Sequence, residues 1–173
     1  MVVDIIFLII SLVLFIWLSS LLIAVIYGAP TVYVKNSSIE KAFELAKIRP
    51  GKTVLDLGCG NARSLIYAAK NFRAKGIGVE ISPYYYLVAK LNVIFSGHSK
   101  QIKIYYGNIL EKGDLIKEAD IIYLYLFDKL LRKLLSVIEK NRKNGSQIVS
   151  VAFPVPNLKP ASQSNSPKVF LYK

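Results

Sequence analysis

The stretch Val54-Leu55-Asp56-Leu57-Gly58-Cys59-Gly60-Asn61-Ala62-Arg63 decides the fold of this chain. An apolar run passes through an acid and reaches two glycines, and a helical pattern opens directly after them. We interpret the stretch as a strand that turns sharply into a helix. Glycine lets the backbone at such a turn approach a ligand closely, and the helix start offers unpaired N–H groups. In an α/β sheet, a nucleotide-like cofactor usually occupies this crevice.

Two classes of cofactor compete for this turn. The dinucleotide fingerprint G-x-G-x-x-G needs a third glycine, but Arg63 stands at that position. Asp56 precedes the first glycine, where its carboxylate can accept hydrogen bonds from an amino-acid ammonium, a group that NAD lacks. The pattern D-x-G-x-G resembles motif I of the S-adenosylmethionine-dependent methyltransferases. A structural glycine turn without a cofactor is the alternative.

Strand and helix patterns alternate along the rest of the chain. Strands are predicted at 53–57, 76–80, 102–106, 120–126, 147–153 and 169–172, and helices at 38–47, 62–72, 83–95 and 129–140. This alternation predicts a Rossmann-like, mostly parallel sheet with helices on both faces. Ser37 and Glu40 have the spacing of a capping box, and residues 154–167 are predicted to form a loop.

The N-terminus is uncharged from Ile5 to Ile26, which is long enough for a helix to cross a bilayer. A cleavable signal peptide is the alternative, but its usual basic start is replaced here by an acidic one with Asp4. We therefore predict an anchor at 1–28 and one domain at 29–173. Lysines and arginines follow the run, so a single-pass protein with a cytoplasmic C-terminal domain is expected.

Composition narrows the possible partners. The 173 residues carry a net charge of +12, which favours nucleic acid, anionic lipid or an acidic protein as partner, or serves solubility alone. Cys59 is the single cysteine, so an intramolecular disulfide and a cysteine-based metal cluster are excluded, and we expect no metal site. We interpret Cys59 as a packing residue of the cofactor turn.

Polar residues end the second and third predicted strands. Glu80 follows Gly60 by twenty residues, and its carboxylate can accept both ribose hydroxyls of an adenosine group. Asn108 has a carbonyl oxygen that can accept from an adenine amino group, although a simple Asn-bearing turn is the alternative. The other candidate cofactor-binding residues lie in or beside the strand tips: Gly58, Cys59, Gly60, Asn61, Arg63, Ile81, Ile109 and Tyr123.

The region from about Pro30 to Pro156 resembles a small protein-lysine methyltransferase family. This family includes the mitochondrial ATP synthase c-subunit lysine methyltransferase and archaeal protein-lysine methyltransferases. Several of its members carry an N-terminal hydrophobic anchor. The stretches that match lie at 49–51, 56–63, 78–83, 119–126 and 153–156. The first motif alone is shared by the whole methyltransferase superfamily. The resemblance to this particular family depends on Arg63, Pro83 and the Phe-Pro-x-Pro segment that begins at Phe153.

The resemblance implies a class I methyltransferase fold, S-adenosyl-L-methionine as cofactor, and a protein substrate that carries a lysine. The uncharged N-terminal run adds the hypothesis that this substrate is membrane-associated. Tyr125, Phe153 and Pro154 are the candidate catalytic residues. Tyr123, Tyr125 and Phe153 lie near the predicted carboxyl ends of their strands, where they can form an aromatic channel around the amine. Packing within the sheet is the alternative for each of them.

Several positions depart from the family pattern. Asn61 and Ala62 replace Asp-Gly, and Ser82 replaces Asn. Pro30 and Val32 match the segment ahead of the first helix of the domain, whereas Tyr33-Val34 replaces its Pro-Thr pair. An RNA or lipid-headgroup methyltransferase of the same fold, or a non-catalytic cofactor-binding adaptor, therefore remains an alternative.

Overall fold

The computed structural model describes residues 1–27 and 33–173, without the side chains at 21 and 23–27. The predicted boundary between the anchor and the domain, at 28–29, and the family-matching residues Pro30 and Val32 lie outside the described residues.

Within the described residues, seven strands form one sheet in the order β3-β2-β1-β4-β5-β7-β6. Strands β1 to β5 are parallel, and β7 pairs antiparallel with both β5 and β6. This confirms the predicted Rossmann-like, mostly parallel sheet. The strands are β1 (Thr53–Leu57), β2 (Lys75–Glu80), β3 (Ile102–Tyr106), β4 (Ile121–Leu124), β5 (Gln147–Val151), β6 (Ser162–Asn165) and β7 (Lys168–Tyr172).

Helices cover both faces of this sheet. They are α1 (Val2–Tyr27), α2 (Asn36–Ala46), α3 (Arg63–Phe72), α4 (Pro83–Phe95), α5 (Gly113–Glu118) and α6 (Asp128–Asn141), with a 3₁₀ turn at Ile109–Glu111. Helices α2, α3 and α4 bury apolar side chains in the core on one face, and α5 and α6 do so on the other. In α6, for example, Leu131, Leu134 and Ile138 recur at helical spacing and are buried.

Helix α1 differs from the other described helices because none of its residues from Val2 to Ser19 is buried in the structure. By length and composition, the stretch from Val2 to Ser20 is sufficient to span a membrane. Near its C-terminal end α1 contacts the domain, where the hydroxyl of Ser20 accepts a hydrogen bond of 3.2 Å from the backbone N–H of Tyr84 in α4.

The predicted boundaries are wrong in a few places. Helix α2 begins at Asn36 after the N-cap residue Lys35, which makes no side-chain cap, so the predicted capping box does not form. Strand β4 ends at Leu124 because Phe127 is already the N-cap of α6. Strand β5 ends before Ala152, whose φ of 67° turns the chain. Helix α5 and the polar strand β6 were not predicted.

The strand order also locates the crevice. From β1 the chain moves outward to β2 and β3, then returns to place β4 on the other side of β1. In open α/β sheets a ligand binds outside the carboxyl ends of the strands at this reversal point. The tips of β1 and β4 therefore define the position of the site.

Candidate active site

The glycine turn after β1 lies at this reversal point. The backbone N–H groups of Gly58 and Cys59 both donate to the carbonyl oxygen of Val79, at 2.9 and 3.0 Å. Gly58 has a φ of 88° and Gly60 a φ of 53°, conformations that suit glycine. A Cβ added to Gly60 meets no atom within 4 Å. The turn is therefore pinned to β2 on one side and open beside Gly60.

Glu80, at the tip of β2, is buried against this turn. One oxygen of its carboxylate accepts from the N–H of Gly60, and the other accepts from the N–H of Ser82, both at 2.8 Å. Burial raises the pKa of Glu80, while backbone N–H donors, those of Ser82 and Gly60 first among them, oppose the rise. Each oxygen keeps a second lone pair, so the carboxylate retains acceptor capacity for two hydroxyls. Ile81, which follows, is half-buried.

Asp56, one residue before the end of β1, is 4% exposed and accepts a hydrogen bond from the hydroxyl of Ser64 in the first turn of α3. Burial raises its pKa to about 7; the Ser64 hydroxyl opposes this rise and the nearby charge of Glu80 adds to it. Among the described residues, neither carboxylate forms an ion pair. Two neighbouring buried carboxylates without a cation are a suitable environment for a cationic ligand.

Cys59 fills space beneath the turn. The side chain is buried, and a Cβ added to Gly78 on β2 would lie 2.7 Å from its sulfur. Burial raises the pKa of the thiol well above its usual value, and the charges of Asp56 and Glu80 add to this. A protonated, enclosed thiol is a poor nucleophile, which agrees with the packing interpretation.

Asn61 and Ala62 complete the turn where the sequence departs from the family pattern. The carbonyl oxygen of Asn61 accepts from the side-chain amide of Asn92 at 3.0 Å, which joins the turn to α4. Ala62 has a φ of 63°, a left-handed conformation that costs a residue with a Cβ roughly 1–2 kcal/mol. The backbone therefore has the geometry that the family's glycine suits, although alanine occupies it here.

Arg63, the first residue of α3, fastens the segment before α2 to the turn. Its guanidinium donates to the carbonyl oxygen of Val34 at 3.1 Å and to the side-chain oxygen of Asn36. It also lies 4.0 Å from the ring centroid of Tyr33. Sequence reasoning missed this clamp because no local pattern connects residues so far apart. A direct role of Arg63 at the cofactor stays a prediction.

Asn108 follows β3 and caps the 3₁₀ turn. Its side-chain oxygen accepts from the N–H of Leu110 at 3.0 Å, and its amide donates to Glu111 at 3.2 Å. Asn108 therefore stabilises a turn, as the alternative interpretation of this residue predicted. One lone pair of the oxygen remains, so the adenine role stays a prediction, as does the role of the buried Ile109.

Tyr123 and Tyr125 lie on the α2 side of the sheet. Tyr123 is 1% exposed, and its ring centroid lies 5.6 Å from that of Phe43 in α2. Among the described residues its hydroxyl has no hydrogen-bond partner. Burial raises the pKa of this phenol well above its usual value, and the charge of Asp56 adds to the effect. Tyr125 is half-buried against the same core cluster.

Phe153 and Pro154 follow β5 and are not beside these tyrosines. Phe153 packs with the core of the opposite face, its ring centroid 5.1 Å from that of Phe127. Its carbonyl oxygen accepts from the hydroxyl of Ser150 at 2.6 Å, and Pro154 is exposed. The predicted aromatic residues therefore form two groups, one on each side of the sheet edge.

Comparison with known proteins agrees with this geometry. Residues 56–162 match the model of the ANTKMT methyltransferase domain. A protein-lysine N-methyltransferase from Saccharolobus islandicus is 32% identical over 127 residues, which are 73% of this chain and 78% of that protein. The ribosomal protein L11 methyltransferase from Vibrio cholerae is 35% identical over 98 residues, and this chain spans about a third of its length, 32%.

Solved structures show the same fold. An RNA methyltransferase from Salinibacter ruber in complex with S-adenosyl-L-homocysteine superimposes with a TM-score of 0.78 at 26% sequence identity. The match covers 82% of this chain and 92% of that protein's chain. A methyltransferase from Geobacter sulfurreducens, also with S-adenosyl-L-homocysteine, has a TM-score of 0.63 at 17% identity, covering 79% and 57%. The chain belongs to the ANTKMT methyltransferase domain family and is an enzyme that uses S-adenosyl-L-methionine to transfer methyl groups.

Proposed function

We propose that this chain is a protein-lysine N-methyltransferase that works at the cytoplasmic face of a membrane, to which α1 anchors it. The curated protein-lysine N-methyltransferase from Saccharolobus islandicus supports the substrate class. The exposed, apolar α1 supports the location. The observation that carries the enzymatic part is the pair of buried carboxylates, Asp56 and Glu80, on either side of an open glycine turn.

The residues at this turn fit S-adenosyl-L-methionine. Glu80 would accept from the ribose hydroxyls, Asp56 would accept from the amino-acid ammonium, and Gly60 leaves space for close approach. Bound there, the cofactor supplies a methyl group activated by a sulfonium. Asn108 would face the adenine, because β3 lies beside β2 in the sheet.

A lysine substrate reacts only as the neutral amine. Bringing its pKa from about 10.4 to 7 corresponds to roughly 4.6 kcal/mol, which burial and a nearby positive charge both supply. We propose that Tyr125 and Phe153, at the ends of β4 and β5, border the entry path on its two sides. Aromatic faces attract the ammonium on approach, and apolar walls then favour its neutral form.

The charge distribution supports a cytoplasmic domain. Asp4 is the single charged residue ahead of Lys35, and Lys35, Lys41 and Lys47 follow soon after α1. An excess of lysine and arginine on one flank of a spanning helix favours the cytoplasm for that flank.

The test of activity is transfer of a radiolabelled methyl group from S-adenosyl-L-methionine to membrane and soluble fractions of the source cells. The purified full-length chain is used, with Asp56→Ala as the inactive control. Acid hydrolysis of the labelled protein should release methylated lysine. Label found in lipid, or in another amino acid, would contradict the proposed substrate class.

RNA is the second candidate substrate, favoured by the net charge of +12 and by the likeness to the Salinibacter ruber protein, itself described as an RNA methyltransferase. Nuclease and protease treatment of the labelled fractions separates the two. Protease-sensitive, nuclease-resistant label supports lysine, and the reverse supports RNA.

The location is tested separately. The full-length chain, carrying a C-terminal tag, should remain with membranes after alkaline carbonate extraction. Protease should remove the tag in inside-out vesicles and leave it intact in sealed cells whose wall has been removed. Release by carbonate, or cleavage in the sealed cells, would contradict the anchored cytoplasmic arrangement.

A further inference from the structure

Helix α4 carries an apolar stripe on its outer face. The stripe consists of Leu87, Leu91, Ile94 and Phe95, which are 48%, 50%, 56% and 83% exposed. These residues recur at helical spacing, so they share one side of the helix. The opposite side already packs into the core through buried residues such as Ala89. The stripe is therefore additional apolar surface that the fold of the domain does not need.

The stripe begins close to the point where α1 contacts the domain. The hydroxyl of Ser20 in α1 accepts from the backbone N–H of Tyr84, and Leu87 follows three residues later on α4. The residues of α1 from Val2 to Leu18 are mostly apolar and exposed. Two exposed apolar surfaces, one on α1 and one on α4, therefore lie on either side of the same contact.

Basic and aromatic side chains border the stripe. Lys90 and Lys103 line a groove between α4 and β3, together with Tyr105. The ammonium of Lys90 lies 5.4 Å from the ring centroid of Tyr86, and Tyr106 is 49% exposed nearby, with its ring against Tyr86. Lysines beside an apolar stripe, with tyrosines at the boundary, are typical of helices that lie in a membrane interface.

We propose that α4 is a second membrane contact, with its stripe of Leu87, Leu91, Ile94 and Phe95 in the headgroup boundary of the same bilayer that α1 enters. The proposal rests on the anchored arrangement proposed above. A protein partner would also accept an apolar stripe, but the contact of α1 with the start of α4 and the bordering lysines favour an anionic lipid surface. Because Asn92 of α4 also holds the glycine turn, this contact would fix how the active site faces the membrane.

The chain contains one tryptophan, Trp17 in α1, which makes depth measurable by fluorescence. The experiment uses the full-length chain in vesicles of phosphatidylcholine and phosphatidylglycerol, with lipids brominated in the upper part of the acyl chains as quenchers. The native chain reports on α1. The double variant W17F/F95W reports on the stripe, and W17F/S136W is the matched control, because Ser136 is exposed on α6 across the sheet.

The stripe is expected to lie ~5–10 Å into the interface, so brominated lipid should quench the tryptophan introduced at 95. The quenching should exceed that at 136 by at least about twofold, since a residue outside the boundary does not meet the bromines. Equal quenching at 95 and 136 overturns the proposal and would indicate that the stripe binds a protein partner instead of lipid.

The native chain separates this proposal from the anchor. Quenching of Trp17 without quenching at 95 keeps the anchor and rejects the α4 contact. Because Trp17 lies inside the apolar run, the native chain is also measured with lipids brominated near the ends of the acyl chains. Quenching at 95 without quenching of Trp17 by either lipid keeps the α4 contact and rejects the spanning helix. Because position 95 is largely exposed at the end of α4, the aromatic exchange there leaves the core unchanged, and circular dichroism verifies the fold of each variant.

Discussion

The two halves of the sheet hold their functional side chains in different ways. At the tips of β1 and β2, Asp56 and Glu80 are buried and carry defined hydrogen bonds, and the charge of Glu80 raises the pKa of Asp56. At the ends of β4 and β5, Tyr125 and Phe153 lie on opposite sides of the sheet and are positioned by packing. The first half is organised in advance for one polar ligand, and the second offers an apolar border. Substitutions should therefore separate cofactor affinity from substrate affinity.

The largest expected effect concerns the ionisation of Asp56. Its pKa in the folded protein is raised from 3.8 to about 7 by burial, so the stability that it contributes is complete below about pH 4 and is lost as the pH rises through about 7. At about 1.4 kcal/mol per unit of difference, the wild type should lose about 2–3 kcal/mol between pH 5 and pH 8 relative to Asp56→Asn. Urea unfolding of both proteins at the two pH values measures this difference.

Asp120 provides a control with the opposite sign. Burial would raise its pKa, but the N–H of Thr53 and the ammonium groups of Lys143 and Lys52 outweigh burial and lower it. The free energy of unfolding of the wild type should therefore increase relative to that of Asp120→Asn as the pH rises through the acid range. A wild-type chain that gains stability relative to Asp56→Asn above pH 5 would contradict the raised pKa of Asp56.

The next effect concerns the packing beneath the glycine turn. A Cβ added to Gly78 would lie within 3.0 Å of side-chain atoms of Cys59, Ile104 and Leu65. Gly78→Ala should therefore destabilise the domain by about 1–3 kcal/mol through overpacking, as measured by urea unfolding. The exposed substitution Ser136→Ala should change stability by less than about 0.5 kcal/mol. Equal stability of Gly78→Ala and wild type would show that the turn is loosely packed.

A smaller effect is expected on the substrate side. Phe153 packs against Phe127 with ring centroids 5.1 Å apart, and such a pair contributes about 0.5–1.5 kcal/mol. Part of that packing remains in Phe153→Leu, but the variant loses the aromatic face that we propose attracts the substrate ammonium, an interaction of about 0.5–1 kcal/mol. The KM for the protein substrate should therefore rise about twofold to fivefold, while the Kd for S-adenosyl-L-methionine stays unchanged. Steady-state kinetics and calorimetry provide the two values. A change confined to the Kd of the cofactor would contradict the proposal that Phe153 acts on the substrate side of the sheet.

The smallest effect concerns the Arg63 clamp on the segment before α2. Arg63→Lys keeps the charge but loses the paired hydrogen bonds to Val34 and Asn36 and the stacking on Tyr33. The partly exposed site limits the loss of stability to about 0.5–1.5 kcal/mol, measured by thermal unfolding. Tyr33→Leu is the matched variant that removes the stacking alone, and it should cost less than Arg63→Lys.

The same contrast explains what the sequence predicted. The bounds of β1, β3 and α4 agree with the sequence patterns, because apolar periodicity and the Ser82-Pro83 cap are local signals. Asp56 and Glu80 were found because a parallel sheet brings the ends of its strands to one edge. These features depend on neighbours in sequence or on a general property of the sheet.

The features that were missed depend on distant partners. Strand β6 has the sequence Ser-Gln-Ser-Asn, without apolar alternation, and in the part of the chain that the structure describes it pairs with β7 alone. Helix α5 is six residues long and begins with a glycine, too short for a periodic pattern. The separation of Tyr125 from Phe153 follows from the turn at Ala152. The positive φ of Ala152 could not be predicted, because alanine is not a residue type that favours it. Tertiary packing decided each of these.

The central claim is that Glu80 and Asp56 bind S-adenosyl-L-methionine at the carboxyl edge of the sheet. Calorimetric titration of the wild type, Glu80→Gln and Asp120→Asn tests it most directly, because Asp120 is an acid at the opposite, amino end of β4 and also accepts a backbone N–H. Loss of hydrogen bonds to a charged group costs about 1.5–3 kcal/mol, so Glu80→Gln should raise the Kd roughly 10–100-fold. Asp120→Asn should leave it unchanged. Equal affinity of all three proteins would contradict the account.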